Sequence, residues 1–376
     1  MTDKMTLLER IETLPDPRQE AKCQYKFGEV IFMTICGILC GADDWPSIQL
    51  FSETKHDWFK KYLKLEHGIP SDDTFNRVFS LLDPATFREM FTLWVQEMLL
   101  ETPLSGVIAI DGKTVRGSRK GKSAGIHMVN AWATESGLAL GQLKIDAKSN
   151  EITAVPELLD TLAIEGCLVT ADAMSCQKKI ATKIQKKGAD YLLAVKKNQR
   201  NLHGEIEQQI ENYWSSTPQD SPSDVAFSEQ SNETHGRGEH RRCWALHDMS
   251  CFPVAQSWGA KTVAAIQLER HTSQKGKSFI RYFISSKVLS PEAIIQATRD
   301  HWHVENSLHW VLDVAFCEDQ SRARAGYAAE NLATARQVAL NLLKRDTSCK
   351  LGIKNKRKGC GWSESYLCHV LGLIIE

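Results

Sequence analysis

The chain has 376 residues, 42% of them hydrophobic, and its 46 basic residues are balanced by 46 acidic ones. That length allows two or three domains around a sizeable core. Formal neutrality weighs against a protein that coats nucleic acid through bulk charge, while leaving room for local basic patches. The 11 cysteines form no CxxC pair, which argues against a disulfide framework or zinc ribbon and fits a reducing cytoplasm.

The N-terminal MTDKMTLLERIETLPDPRQ carries no apolar signal core. Leu7, Leu8, Ile11 and Leu14 recur at helical spacing before PDPRQ breaks the pattern. EVIFMTICGILCGA predicts a second helix, with Cys36 and Cys40 on one face. This apolar run, near Val30 to Ala42, falls short of the roughly 20 residues a membrane span needs. A soluble, intracellular chain is expected. WPSIQLFSETKHDWFKKYL and PATFREMFTLWVQEMLL predict further helices. Between them, GIPSDDTFNRVFSLL predicts a turn and a helix opening near Asp72 or Asp73. Two readings stay open there: the second helix of a helix-turn-helix with Asn76 and Arg77 facing DNA, or the commoner case of a capped helix packed in an all-α unit. Residues 1–102 are thus expected to form a helical N-terminal domain and a candidate DNA-binding unit.

From about 105 the pattern changes to strands. GVIAID ends on Asp111; HMVNAWATE and LALGQLKID flank Ser136-Gly137, a hairpin turn. EITAVPELLDTLA predicts a helix capped by Ser149 or Asn150. GCLVTAD is a second apolar run ending on an aspartate, Asp172. SCQKKIATKIQKKG predicts a helix closed by Gly188, and DYLLAV a further strand. This order gives an α/β domain, expected over 103–346, with a mixed sheet and a hairpin at one side. NLHGEIEQQIENYW predicts a helix and SSTPQDSPSD a polar loop. RRCWALH, KTVAAIQLERH and SFIRYFISS alternate like antiparallel strands, predicting a β-rich insertion at about 220–288. SPEAIIQATRDHWHVENSLHWVLDVA and AAENLATARQVALNLLKRD return to helix, and 347–376 reads as a basic C-terminal tail.

An acid at the end of a packed strand is exposed while its position is fixed. If the two strands are neighbours, Asp111 and Asp172 converge. Two carboxylates held together raise each other's pKa unless a divalent cation lies between them, and hard oxygen ligands suit Mg²⁺, with Mn²⁺ able to substitute. Unrelated surface acids also end strands, but the flanks here are basic. Asp111 leads into Lys113, Arg116, Arg119, Lys120 and Lys122; Asp172 leads into Lys178, Lys179, Lys183, Lys186, Lys187, Lys196, Lys197 and Arg200. Carboxylates flanked by cations suit a metal-dependent enzyme acting on a phosphate backbone. A third cluster runs from Lys344 to Lys358, read equally as a DNA-contacting tail or a solvated end. The third acid is expected in HWHVENSLHWVLDVAFCED. Glu305 shares a helix face with His301 and His309, and Asp313 and Glu318 are fallbacks. Trp302 and Trp310 are expected mainly in the core. The spacing of His301, His303 and Cys317 fits no zinc pattern.

AIDGKTVRGS, DAKSNEITAVPELL, TADAMSCQKKIATKI, DYLLAVKKNQ, THGRGEHR and HWHVENSLHWVLDVAFCEDQSRAR resemble the H-repeat-associated insertion-sequence transposases, over nearly the whole chain. The resemblance implies a DD(E/D) transposase with a ribonuclease-H-like core, interrupted by strands between the second aspartate and the glutamate. It implies Asp111, Asp172 and Glu305 as the catalytic, metal-binding acids. Asp172 follows Asp111 by 61 residues, and Glu305 follows Asp172 by 133. His235, Gly236 and Arg237 match the family's HGR motif, which implies a DNA contact at Arg237. Relatives often carry a tyrosine, an arginine and a lysine at fixed offsets from the glutamate; here those offsets hold Thr298, His301 and Leu312. His301 is read as a replacement phosphate ligand, with Lys113, Arg116 and Lys196 as further backbone contacts. The implied activity is cleavage at element ends and transfer of the 3′ ends to target DNA, by a homodimer on double-stranded DNA in the bacterial cytoplasm, at the nucleoid. Two rivals are a nuclease without strand transfer and a domesticated DNA-binding protein.

Overall fold

Thr6 opens the first helix with a capping box, its side chain accepting from Glu9 while Glu9 reaches back to the cap. The computed structural model describes residues 5–19, 21, 23–100, 103–119, 125–145, 150–215, 225–234, 237–272 and 275–373. The N-terminal region is helical: α1 (Leu7–Glu12), α2 (Phe27–Leu39), α3 (Trp45–Thr54), α4 (His56–Phe59), α5 (Asp72–Leu81) and α6 (Pro84–Leu99). On α5, Thr74, Phe75, Val78 and Phe79 are buried, while Arg77 is exposed. Among the described residues no helix is long and apolar enough to cross a membrane.

There follow β1 (Val107–Val115), β2 (Ile126–Ala133), β3 (Leu138–Ile145), α7 (Glu151–Thr161), β4 (Leu168–Ala171), α8 (Lys178–Lys186), β5 (Asp190–Val195) and α9 (Arg200–Ser215). Asn150 caps α7 by accepting from the Ile152 amide. Gly188 turns the chain after α8 with a φ of 72°. Next come β6 (Val225–Thr234), β7 (Arg237–Leu246), α10 (Pro253–Gln256), β8 (Thr262–Thr272), β9 (Lys275–Ser285) and α11 (Pro291–His301). The chain finishes with α12 (Trp310–Ala315), α13 (Ala328–Arg345), α14 (Ile353–Trp362) and α15 (Glu364–Leu371).

Among the described residues, nine strands join one mixed sheet, ordered β3-β2-β1-β4-β5-β9-β8-β7-β6. Its first five strands have the ribonuclease-H-like arrangement: a β1–β3 meander, with β4 and β5 parallel to β1. The later hairpins extend that sheet from the β5 edge through an antiparallel β5–β9 pair. Helix α13 is buried nearly all round and packs on α2, α5, α6 and β3. One hydrophobic core therefore runs from Leu7 to Leu371.

Four expectations change. Strand β1 does not end at Asp111 but continues to Val115, because it outruns β4 and goes on pairing with β2. Strand β6 was missed: it is the sheet's outer edge, where polar residues on both faces hide the alternation. The single helix expected after Ser290 is broken into α11, a π-helical turn over Val304–His309, and α12. Residues 347–376 are not a tail up to 373, since α14 and α15 pack against the body. Lys356 and Arg357 are buried there: Lys356 donates to the Leu343 carbonyl, and Arg357 to the Ile38 carbonyl and Asp43.

Candidate active site

The β1–β4 register brings the two aspartates together. The parallel pairing ends at Ile110 opposite Ala171, and the next residue on each chain is Asp111 and Asp172. The Asp172 carboxylate accepts from the Met174 and Ser175 amides, at 3.0 and 3.1 Å. That turn fixes one oxygen and leaves the other for a ligand.

Glu305 arrives from the π-helical turn after α11, whose body packs on β1, β4, β7 and β8. A π turn inserts an extra residue and re-aims the side chains it carries. Here it turns both Glu305 and His309 towards Asp111. His309 Nδ1 lies 3.2 Å from Glu305 and 3.6 Å from Asp111. One ligand atom from each of these three residues falls within 4.8 Å of the others. His309 is held from behind. Asn130, the cross-strand partner of Asp111, lies 3.4 Å from His309 Nε2, and Gln337 donates to Asn130 at 2.7 Å. With Asn130 donating to Nε2, the neutral ring carries its hydrogen on Nδ1 and offers it to the carboxylates.

Asp111, Asp172 and Glu305 all line one cavity of about 680 Å³, with Lys196, Arg281 and Trp302 also on its wall. Burial raises the Asp111 carboxyl to about 7, and the neighbouring charges of Asp172, Glu151 and Glu305 add to the rise.

The other expected contacts scatter. Lys196 is exposed at the cavity. His301 lines it too, 3.0 Å from the Thr170 hydroxyl; burial and the nearby Arg281 depress its pKa to about 4, so it meets a ligand as a neutral ring. Arg116 is exposed in a 3-10 turn (Arg116–Ser118), its amide donating to Asp319. Lys113 is corrected outright. It is buried, its ammonium bonded to Asp313 and Glu318, so it faces no backbone phosphate. Arg237 begins β7, while His235 and Gly236 lie outside the described residues. Trp302 and Trp310 are exposed rather than in the core.

Sequence reasoning missed the Asn130–Gln337 support of His309, because nothing local in HMVNAWATE distinguishes Asn130. It also missed Glu151, which bonds His127 at 2.8 Å beside Gly112. Arg281 was passed over as one residue of an alternating strand.

Residues 102–342 match the family described as Transposase DDE domain, and residues 8–95 match its companion, DDE_Tnp_1-associated. The chain belongs to the DDE transposase family. It is 44% identical to the Escherichia coli O157:H7 protein named "Putative transposase YncI", over 99% of this chain and 95% of that one. It is 40% identical to the Escherichia coli K12 "H repeat-associated putative transposase YhhI", over 97% of each. A piggyBac transposase synaptic complex with hairpin DNA aligns over 97% of this DDE transposase and 78% of its own chain, at 10% identity and a TM-score of 0.46.

Proposed function

We propose that this chain cuts phosphodiester bonds at the ends of its own DNA element and joins the freed 3′ ends to target DNA. Convergence of Asp111, Asp172 and Glu305 on one cavity with Lys196 on its wall carries the reading. The donor set fits divalent cations: the three acids offer only oxygen, as hard ions prefer, and the Asp111 carboxyl, raised mainly by burial and further by neighbouring carboxylates, is held ionised by a cation. Asp111, Asp172 and Glu305 are the residues that would hold a pair of Mg²⁺ ions, or Mn²⁺ in their place. When bound, such ions activate the attacking oxygen and stabilise charge on the leaving one.

The chain's own residues orient the reactants. The Asp172 turn and the His309 hydrogen bond fix the carboxylates. Lys196 draws in the phosphate backbone by charge. His301, neutral and tied to Thr170, offers one ring nitrogen to a phosphate oxygen. Two ends held together require two copies, so the acting form is a homodimer on double-stranded DNA, at the nucleoid in the cytoplasm.

The test is cleavage of terminal-repeat DNA with Mg²⁺. Asp111→Ala should lose cutting and keep DNA binding. Cutting at the wild-type rate would overturn the assignment, and no joining of pre-cut ends by wild-type protein would reduce the function to a nuclease.

A further inference from the structure

Strands β7, β8 and β9 carry an arginine cluster beside the acids. Register decides which residues share a face. Arg241 pairs with Leu268, Glu239 with Arg270, and Ile266 with both Cys243 and Arg281. Paired residues project to the same side of a sheet and alternate along each strand. Arg241, Arg270 and Arg281 therefore emerge on one face, with Glu239 among them.

Nearer the catalytic strands, the same face is dry. Cys243, Ala245, Ala264, Ile266 and Phe283 form a cluster there with Ile294, Ile295 and Ala297 of α11. Arg299, in the last turn of α11, joins the arginines and lies against the Asn232 amide of β6. The helix ends where the charges begin, with Arg270 and Arg281 exposed and Arg241 and Arg299 half-buried.

Among the described residues, the charge on this patch does not balance. Glu239 bonds both Arg241 and Arg270, the latter at 2.9 Å. Arg281 and Arg299 have no carboxylate within ion-pair distance among the described residues. Burial, and repulsion from Arg299, Arg270 and Arg281, lower the Arg241 pKa. A folded protein gains nothing from four crowded guanidinium groups and one carboxylate unless an anion joins them.

Position says which anion. Arg281 lines the cavity that holds Asp111, Asp172 and Glu305, so the cluster starts there and runs outward across the strands. From β9 to β7 is two strand spacings, about 10 Å, which spans a few successive phosphates of one DNA strand. Planar guanidinium forks suit phosphate oxygens, and the exposed Phe279 between them suits the sugar faces.

We propose that Arg241, Arg270, Arg281 and Arg299 form a phosphate track that grips one strand of duplex DNA as it leaves the cavity, next to the bond to be cut. This rests on the reading of the cavity as a DNA-cutting site.

The test is fluorescence anisotropy of the full chain on a labelled random-sequence duplex across a salt series, without added metal. Each lost phosphate contact flattens the dependence of log K on log salt by about 0.9. The double variant Arg241→Gln, Arg270→Gln should flatten it by about 2 and weaken low-salt binding at least tenfold. The variant Arg241→Lys, Arg270→Lys, which keeps the charge, should restore most of the slope. The charge-matched Lys261→Gln, Lys287→Gln variant, exposed just beyond the opposite ends of β8 and β9, should leave it unchanged. A wild-type slope in the double glutamine variant, with circular dichroism unchanged, overturns the track and leaves the cutting site standing. Failure of wild-type protein to bind the duplex overturns both.

Discussion

The Lys113 ammonium lies 2.6 Å from the Glu318 carboxylate in the protein interior, and 2.5 Å from Asp313. Lys113 follows Asp111 by two residues on the same face of β1. Asp313 and Glu318 lie just beyond Glu305 in the chain. One cation thus ties the strand of the first acid to the segment that follows the third. Burial alone would lower the Lys113 pKa, but the two carboxylates outweigh it and hold it above the usual value. Lys113→Met would leave Glu318, 1% exposed, with Arg336 3.9 Å away as its remaining cation. We expect a loss of about 3–5 kcal/mol in urea unfolding, and more than tenfold slower cleavage at temperatures where the variant is still folded. Adding Glu318→Gln should recover part of the stability. A variant within ~1 kcal/mol of wild type would show that the bridge does not hold these segments together.

Asp111 gives the metal-free protein a pH dependence of definite sign. Its folded pKa, about 7, stands above the ordinary carboxylate value of 3.8. A raised carboxylate pKa contributes stability that is full below the unfolded pKa and is lost as pH rises through the folded one. Metal-free wild-type protein should therefore weaken between about pH 4 and pH 8 relative to Asp111→Asn. The difference is on the order of 1–3 kcal/mol at pH 8, discounted for the open cavity. Mg²⁺ should raise the melting temperature of wild-type protein more at pH 8 than at pH 6, because its site loses a proton on binding. Thermal scans with and without chelator check this. Parallel pH curves for the two proteins would mean that Asp111 ionises normally.

The sequence made Asp111 and Asp172 visible because apolar runs are local signals, and the parallel register needs only those runs to be neighbours. Glu305 was visible through its motif, but its geometry was not. The π turn that aims it depends on packing α11 against the sheet, and a helical period reads straight through it. Lys113 was misread for the same reason. A basic residue after a strand acid resembles a phosphate contact until residues 200 positions away supply its carboxylates. Lys356 and Arg357 repeat the lesson, since composition made a tail of a helix that the core needs. Strand β6 lacked alternation because an edge strand buries little on either side.

Gly117 supports the same junction as Lys113. A Cβ at this position would stand 2.2 Å from the Ser321 carbonyl oxygen and 2.8 Å from that of Asp319. Both are backbone atoms, so no side chain can swing aside. The segment after Asp111 and the segment after Glu318 touch backbone to backbone there, and Arg324 donates to the Gly117 carbonyl at 3.1 Å. Gly117→Ala should cost about 2–3 kcal/mol and slow cleavage by shifting the Glu318 segment against β1. Gly137, whose Cβ would meet nothing within 4 Å, has a φ of 65°; Gly137→Asn, tolerant of that conformation, should be nearly neutral. Similar midpoints for both variants would rule out the close approach as the cause.

Asp346 governs whether the C-terminal helices stay docked. Burial pushes its pKa up, but hydrogen bonds from Ser348, Tyr366 and Lys356 outweigh that and hold it well below the usual range. Tyr366 donates from α15 at 2.6 Å, and the Lys356 ammonium on α14 lies 3.3 Å away. One carboxylate at the end of α13 thus gathers both later helices. A depressed pKa contributes stability that is present above the unfolded value and lost as pH falls through the folded one. Asp346→Asn should therefore cost about 2–4 kcal/mol at pH 7, and the gap to wild type should narrow as pH drops below 4. Tyr366→Phe should cost about 1 kcal/mol with a smaller narrowing of the same sign, since it removes one of the donors that hold the pKa down and leaves the carboxylate. Limited proteolysis should release a C-terminal fragment from Asp346→Asn before the rest of the chain is cut. Simultaneous loss of both parts would mean that α14 and α15 unfold only with the whole core, which Arg357 reaches through Ile38 and Asp43.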